Sequence, residues 1–269
     1  EQEMSERNKI LLSFDIEEFD VPREHGVEIA LDEQIRVSEE GTQAILDVLD
    51  RHGVKATFFS TANFAQHTPE LMQRIKRSGH EIASHGYYHS SFEVADLKAS
   101  KDALETQLDI EVKGYRQARM MPVDEQEIAK AGYTYNTSLH PTFIPGRYMH
   151  LSAPRTHFMK EGVLQIPASV TPLVRFPLFW LSCHNLPFGL YRWLCKHTLR
   201  HDGYLVVYFH PWEFYPLGEY PEFRLPFVVR NNAGKGMIER LDKWISAFLR
   251  EGAEFVTFSD FIQTLPNHG

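Results

Sequence analysis

The sequence predicts an α/β fold in which helices pack outside a parallel sheet. Two observations carry that prediction. Short apolar runs rich in β-formers alternate with amphipathic stretches along most of the 269 residues. Polar residues suited to chemistry also stand at the carboxyl ends of three separate runs, the edge where parallel α/β barrels gather their sites.

Taken in order, residues 10–14 (Ile-Leu-Leu-Ser-Phe) form a buried-strand pattern. Residues 41–53 place Ile45, Leu46, Val48 and Leu49 at helical spacing between two glycines. Residues 56–60 read as a second strand. Thr68-Pro69-Glu70 opens a helix with proline in its first turn, and Gly79 closes it. Residues 80–84 are a third strand, and 94–108 a helix. Residues 112–115, 124–131 and 133–137 continue as strand, short helix and strand. Residues 204–209 are a strong strand ending at His210. The helix over 236–250 lines up Leu241, Trp244, Ile245, Phe248 and Leu249, Gly252 stops it, and 254–258 returns as a strand. There is no internal repeat, low-complexity tract or linker, so residues 1–269 read as one domain with a flexible amino terminus at 1–8.

Composition narrows the partners. A net charge of −8 with scattered Lys and Arg argues against nucleic acid and against an anionic membrane surface. No apolar run reaches the ~20 residues of a membrane span. The most apolar stretch, residues 176–194, is broken by Pro177, His184, Asn185, Pro187 and Gly189, and reads as a packed element or a partner-facing patch. Cys183 and Cys195 read as reduced, partly buried thiols. A bridge stays open because Pro187 and Gly189 interrupt any helix joining them. Cysteine scarcity leans towards the cytoplasm.

His85 and His89, four apart with Gly86 permitting a sharp turn, are spaced to converge on one ion. Asp15 and Glu17, two apart on a continuing strand, point to one side. Two such carboxylates divide labour, one holding a divalent metal and one acting as a base on water. One carboxylate with two imidazoles is a three-ligand site with open positions. His210, at a strand end, is placed as a general acid. Arg116 is suited to a bidentate pair with a carboxylate, Asp15 being the obvious partner. Trp212 is either a flat surface for a sugar ring or core, and Tyr87 and Tyr88 either line the mouth or pack. The remaining histidines, His140, His150, His157, His184, His197 and His201, show no spacing that demands a metal.

The ordered motifs Ser13-Phe14-Asp15-Ile16-Glu17, Ser84-His85-Gly86-Tyr87-Tyr88-His89, Gly114-Tyr115-Arg116 and Tyr208-Phe209-His210-Pro211-Trp212-Glu213 resemble the polysaccharide deacetylases (NodB-homology, carbohydrate esterase family 4). The likeness is to the branch whose first motif is Asp-x-Glu or Asp-x-Asp. It implies a distorted (β/α) barrel of seven parallel strands and hydrolysis of an N-acyl amide on an amino sugar. It also implies Glu17, His85 and His89 as ligands of a divalent metal, commonly zinc. Asp15 would then be the base, Arg116 its tether and His210 the acid. Tyr87, Tyr88, Trp212 and Glu213 are expected at the substrate. Two departures stand out: the family's Arg-x-Pro is Arg116-Gln117-Ala118 here, and Tyr135 precedes Asn136 instead of an aspartate. The substrate expected is an N-acetylated amino sugar of a glycan or glycolipid precursor. The alternatives are a small non-sugar amide, as in allantoin-cleaving relatives with or without metal, and a carbohydrate binder without turnover.

Overall fold

Strand β1 (Lys9–Ile16) is covered on both faces, as its unbroken apolar run requires, and the sheet is laid around it. The computed structural model describes residues 8–266, so seven of the eight residues expected to form a flexible amino terminus lie outside the described residues. The eighth, Asn8, is tied down through its carbonyl, which accepts from the Glu254 N–H at 2.9 Å.

The chain order is β1, α1 (Leu31–His52), β2 (Thr57–Ser60), α2 (Ala62–His67), α3 (Pro69–Arg77), β3 (Glu81–Ser84), α4 (Ala95–Leu108), β4 (Gly114–Tyr115), α5 (Glu125–Ala131) and β5 (Tyr135–Asn136). A small hairpin, β6 (Phe143–Ile144) and β7 (Tyr148–Met149), stands apart from the main sheet. Then come β8 (Phe158–Lys160), β9 (Val163–Gln165), α6 (Trp180–Asn185), α7 (Phe188–Asp202), β10 (Tyr204–Phe209), α8 (Phe227–Arg230), α9 (Lys235–Arg250), β11 (Glu254–Phe255) and α10 (Phe258–Gln263).

Seven strands run parallel in the order β10-β1-β2-β3-β4-β5-β9, as the resemblance implies. To these the sheet adds a short parallel β11 against the start of β1 and an antiparallel β8 against β9. The gap between β9 and β10 is bridged by Ser169, whose N–H donates to Val206 O at 3.0 Å while its hydroxyl accepts from Val206 N at 2.8 Å. The result is a distorted barrel.

Period-two alternation divides β1. Ile10, Leu12, Phe14 and Ile16 join the large apolar layer under the helices, whereas Leu11 joins a separate interior cluster with Phe59, Ala83, Tyr135, Val206 and Phe258. Ser13 and Asp15 share the parity of Leu11, so the first carboxylate leaves the sheet on the barrel side. Gly114 is required inside: a Cβ there would lie 1.9 Å from the Tyr135 ring.

The sequence reading starts the first helix at Gly41, but α1 begins ten residues earlier. Ile35 and Val37 are buried along it, so the helical face simply continues amino-terminal of the glycine. Gly41 marks a close approach: a Cβ there would lie 1.8 Å from the carbonyl oxygen of Pro211, the residue after His210. Residues 176–194 resolve into α6 and the start of α7. Trp180, Cys183, His184 and Tyr191 are buried, while Leu190 and Trp193 remain exposed. Both cysteines are buried free thiols. The expected face of α9 holds except for Leu249, which is 37% exposed. The strand expected over 254–258 is shorter, because Thr257 caps α10 by accepting from Asp260 N. Among the described residues, no helix is long and apolar enough to cross a membrane.

At the other end of the barrel, buried His80 accepts from Ala56 N–H through Nδ1 at 3.1 Å, which needs an unprotonated nitrogen. Burial, aided by Lys55, lowers its pKa from 6.5 to about 4. The unfolded chain therefore binds a proton that the folded chain refuses, and stability falls as the pH drops from about 6.5 towards 4. Going from pH 7 to pH 5 is expected to cost wild type about 2 kcal/mol more than His80→Asn, which keeps an acceptor without titrating. Urea unfolding at both values checks this, and equal losses in the two proteins would remove His80 as the cause.

Candidate active site

Four sheet strands deliver the predicted residues to one place. Asp15 comes from the end of β1, Glu17 from just beyond it, His85 from just after β3, Arg116 from just after β4 and His210 from just after β10. All five are within about a residue of a strand's carboxyl end, where loops converge.

Arg116 is the centre of the arrangement. Its guanidinium, 0% exposed, donates through Nη1 to Asp15 Oδ1 at 2.8 Å and to Ser13 Oγ at 3.0 Å. Nε donates to Thr137 O at 3.1 Å and Nη2 to Thr137 Oγ1 at 3.3 Å. The guanidinium also lies 4.3 Å from the Phe59 ring centroid and 5.1 Å from that of Tyr208. Burial opposes ionisation of Asp15, but Arg116, with His85 and His210, outweighs it and holds the carboxyl below its ordinary range.

The same residue orients the metal-competent side. Arg116 O accepts from His85 Nδ1 at 2.8 Å. A carbonyl can only accept, so Nδ1 carries the hydrogen and Nε2 keeps its lone pair. That lone pair faces Glu17 Oε2 at 3.9 Å and has no hydrogen-bond partner among the described residues. His89 is turned the same way, with Nδ1 against Asp20 Oδ1 at 2.7 Å and Nε2 in contact with Glu17 Oε2. Ligand atoms of Glu17, His85 and His89 all lie within 4.8 Å of one another. Burial opposes charge on both imidazoles. It lowers the pKa of His85, while Glu17 and Asp20 raise that of His89 well above the usual histidine value. A buried lone pair aimed at a carboxylate, with both imidazoles anchored through Nδ1, fits a divalent cation.

Asp15, Glu17 and His210 form a second such cluster that shares Glu17. There Asp15 is engaged by Arg116, and His210 Nε2 lies 3.9 Å from Asp15 Oδ2 and 3.4 Å from Glu17 Oε1. Burial disfavours charge on His210, but its hydrogen bond to Glu213 and the fields of Glu17, Glu213 and Asp15 raise its pKa.

A cavity of about 370 Å³ opens over Asp15, Glu17, His89 and His210, with Tyr148 and Trp180 on its wall. The residues expected at the substrate separate here. Trp212 borders this cavity but is 3% exposed, with one face stacked on His210 (centroids 4.6 Å apart, planes at 18°). Tyr88, 46% exposed, borders a shallower cavity of about 150 Å³ on another side of His89. Tyr87 is half-buried, its hydroxyl accepting from Gln66 Nε2 of α2 at 3.1 Å. Glu213 corrects the expectation. It is fully buried behind His210 and accepts from His210 Nδ1 at 2.9 Å and from the His210 N–H, so it lies out of a substrate's reach.

Sequence reasoning missed Asp20, Ser13, Thr137, Trp180 and His184. Asp20 belongs to none of the motifs, and its partner His89 is 69 residues away. Where Arg-x-Pro is absent, Gln117 is pinned instead: its N–H donates to Ser138 Oγ at 2.9 Å, and its side chain accepts from the Tyr115 hydroxyl. Asn136 Oδ1 accepts from the same Ser138 hydroxyl at 2.5 Å.

This geometry defines a parallel (β/α) barrel with a metal-competent site at its carboxyl-terminal mouth. Residues 5–134 match the sequence model described as polysaccharide deacetylase. The peptidoglycan-N-acetylmuramic acid deacetylase PdaA of Bacillus subtilis is 34% identical over 65 residues, covering 24% of this chain and 25% of that protein. The matched stretch is thus about a quarter of that relative's length. Among solved structures, a protein assigned to the polysaccharide deacetylases from Mycobacterium smegmatis superposes with a TM-score of 0.69. It is 18% identical, and the match covers 97% of this chain and 92% of that one. The PuuE allantoinase superposes at 0.61 with 15% identity, over 95% and 89% of the two chains, which speaks for the fold alone. The likeness to the polysaccharide deacetylase family thus covers residues 5–134, just under half of the chain, and the likeness of fold extends over nearly all of it.

Removing one partner of a buried ion pair strands the other charge, which typically costs about 3–5 kcal/mol. Arg116→Met is expected to lose that much in urea unfolding. The double variant Asp15→Asn/Arg116→Met should lose clearly less than the sum of the single changes. A single-variant loss under about 1 kcal/mol would show that the pair does not hold the strand ends.

Proposed function

We propose that this chain is a metal-dependent N-deacetylase that hydrolyses the N-acetyl amide of an amino sugar in a glycan or glycolipid precursor. The observation that carries the reading is the division of groups around one cavity floor. Glu17, His85 and His89 converge on one point, while Asp15 and His210 are held beside it by separate partners.

Glu17, His85 and His89 would hold the ion, for which the mixed carboxylate–imidazole set favours zinc. When bound, that ion supplies Lewis acidity to the acyl carbonyl and to water. Asp15, kept ionised by Arg116, takes the proton as water adds to the carbonyl carbon. His210 gives a proton from Nε2 to the amide nitrogen as the C–N bond breaks, so the amine departs neutral. The proton on Asp15 then resets His210, whose Nε2 is 3.9 Å from Asp15 Oδ2. Water and amide become acid and amine, and both side chains return to their starting states. Sharing of this cavity by the base and the acid supports turnover over sugar binding alone. For compartment we keep to the cytoplasm, a reading supported by the two buried free thiols.

Metal analysis of the purified protein, with acetate release measured on N-acetylated glycans, tests the reading. His89→Ala should lose metal and activity with its circular dichroism unchanged. His210→Ala should keep the metal and lose about 10²–10⁴ in kcat. Activity on allantoin-like amides without acetate release from any glycan would move the substrate to the small-amide class. Full activity of either variant sinks the role assigned to that residue.

A further inference from the structure

His184, on α6, lies outside the sequence motifs and is fully buried. Its Nε2 is 2.7 Å from Glu213 Oε1, and its Nδ1 is 2.7 Å from the carbonyl oxygen of Asn231, just past α8. The other oxygen of Glu213 serves His210. Two fully buried side chains and the part-buried His210 therefore run in line as His184–Glu213–His210, ending at the cavity.

Counting donors along this line fixes where its hydrogens sit. The Asn231 carbonyl only accepts, so His184 Nδ1 carries a hydrogen. A carboxylate only accepts as well, so a hydrogen must also lie between His184 Nε2 and Glu213 Oε1, or two lone pairs would face each other at 2.7 Å. A His184 that donates from both nitrogens meets this condition and leaves Glu213 a carboxylate. Glu213 Oε2 also receives the His210 backbone N–H, which a carboxylate oxygen can do while accepting from Nδ1. His210 is then committed to Nδ1–H, and its Nε2 is the nitrogen presented to the cavity. Without His184, Glu213 Oε1 would have lost its donor inside a fully buried site, and an O–H placed on Glu213 would compete for His210 Nδ1.

The surroundings are built around this line. Trp180 and His184 are four apart on α6 and so share a face. Trp180 meets the His210 ring edge-on at 5.1 Å, and Trp212 stacks on that ring. Asn232 Nδ2 donates to the His184 carbonyl at 2.8 Å, and Asn231 Nδ2 does so at 3.3 Å, clamping α6 to the segment after α8.

We propose that His184 is a positioning residue for proton delivery. Through Glu213 it fixes the tautomer of His210, so that the proton for the leaving amine is delivered from Nε2. The kinetic half of this inference rests on the deacetylase reading; the tautomer half does not. In the zinc-loaded protein with ¹⁵N-labelled histidine, long-range ¹H–¹⁵N spectra should show His210 as the Nδ1–H form in wild type. In His184→Phe that form should be lost, and His184→Gln, which can still donate to Glu213, should largely restore it.

Kinetics supply the second arm. Expelling an amine needs a proton, whereas expelling p-nitrophenolate does not. On N-acetylated chitooligosaccharide, His184→Phe should lose about 10²-fold in kcat with KM little changed, and hydrolysis of p-nitrophenyl acetate should stay within about twofold of wild type. His184→Gln should recover most of the loss and also serves if the phenylalanine variant fails to fold. An unchanged His210 tautomer in His184→Phe, or equal losses on amide and ester, overturns the proposal. A wild type inactive on every N-acetyl sugar overturns the deacetylase reading instead, and the spectra still decide the role of His184.

Discussion

One buried arginine ties the molecule's chemistry to its fold. The Arg116 guanidinium fixes the carboxylate of Asp15 at the end of β1, and its backbone carbonyl fixes the tautomer of His85 after β3. A buried carboxylate and a metal-competent imidazole, 70 residues apart in sequence, thus take their orientation from a single residue beyond β4. The interior accepts this cation because it supplies what burial removes. Ser13 and Thr137 satisfy its donors, and the Phe59 and Tyr208 rings lie against it. An arginine suits this place because its planar fork reaches several acceptors at once.

The sheet explains why so few residues are needed. Alternation along β1 sends every second side chain into the barrel, so the strand that supplies apolar packing below supplies carboxylates above. Parallel pairing then aligns the ends of β1, β2 and β3 in register, Ile16 beside Ser60 and Ser60 beside Ser84. The site residues begin immediately past that shared edge.

Much of this was legible from local pattern. The strands at 10–14, 56–60, 80–84 and 204–209 carry strong β signals, and the first, third and fourth of them end at the polar residues that matter. The histidine spacing and the Asp-x-Glu step announced the metal-competent cluster. What stayed hidden depends on contacts distant in sequence. In the sequence the helix starts at Gly41 because a glycine reads as a helix boundary, whereas in the fold that glycine lets α1 pass beside Pro211. Residues 138–203 yielded no elements because their strands are two or three residues long and their helices lack a clean polar face. Asp20 and His184 carry no spacing signal at all, since each acquires its partner only when remote segments meet. Glu213 was visible as a polar neighbour of His210, but its burial could be known only from the packing around it.

The clamp between α6 and the segment after α8 divides the molecule along its chain. The carboxylates, the paired imidazoles and the arginine all come from the first 116 residues, whereas everything that steadies His210 comes from residues 180–232. The two sets adjoin where β1 and β10 pair, Phe14 beside Phe209, yet draw their side-chain partners from different parts of the chain. Substitutions in the later segment can therefore change the surroundings of His210 without touching the contacts of Arg116. That division lets the setting of one imidazole be rebuilt while the arginine keeps every contact it makes.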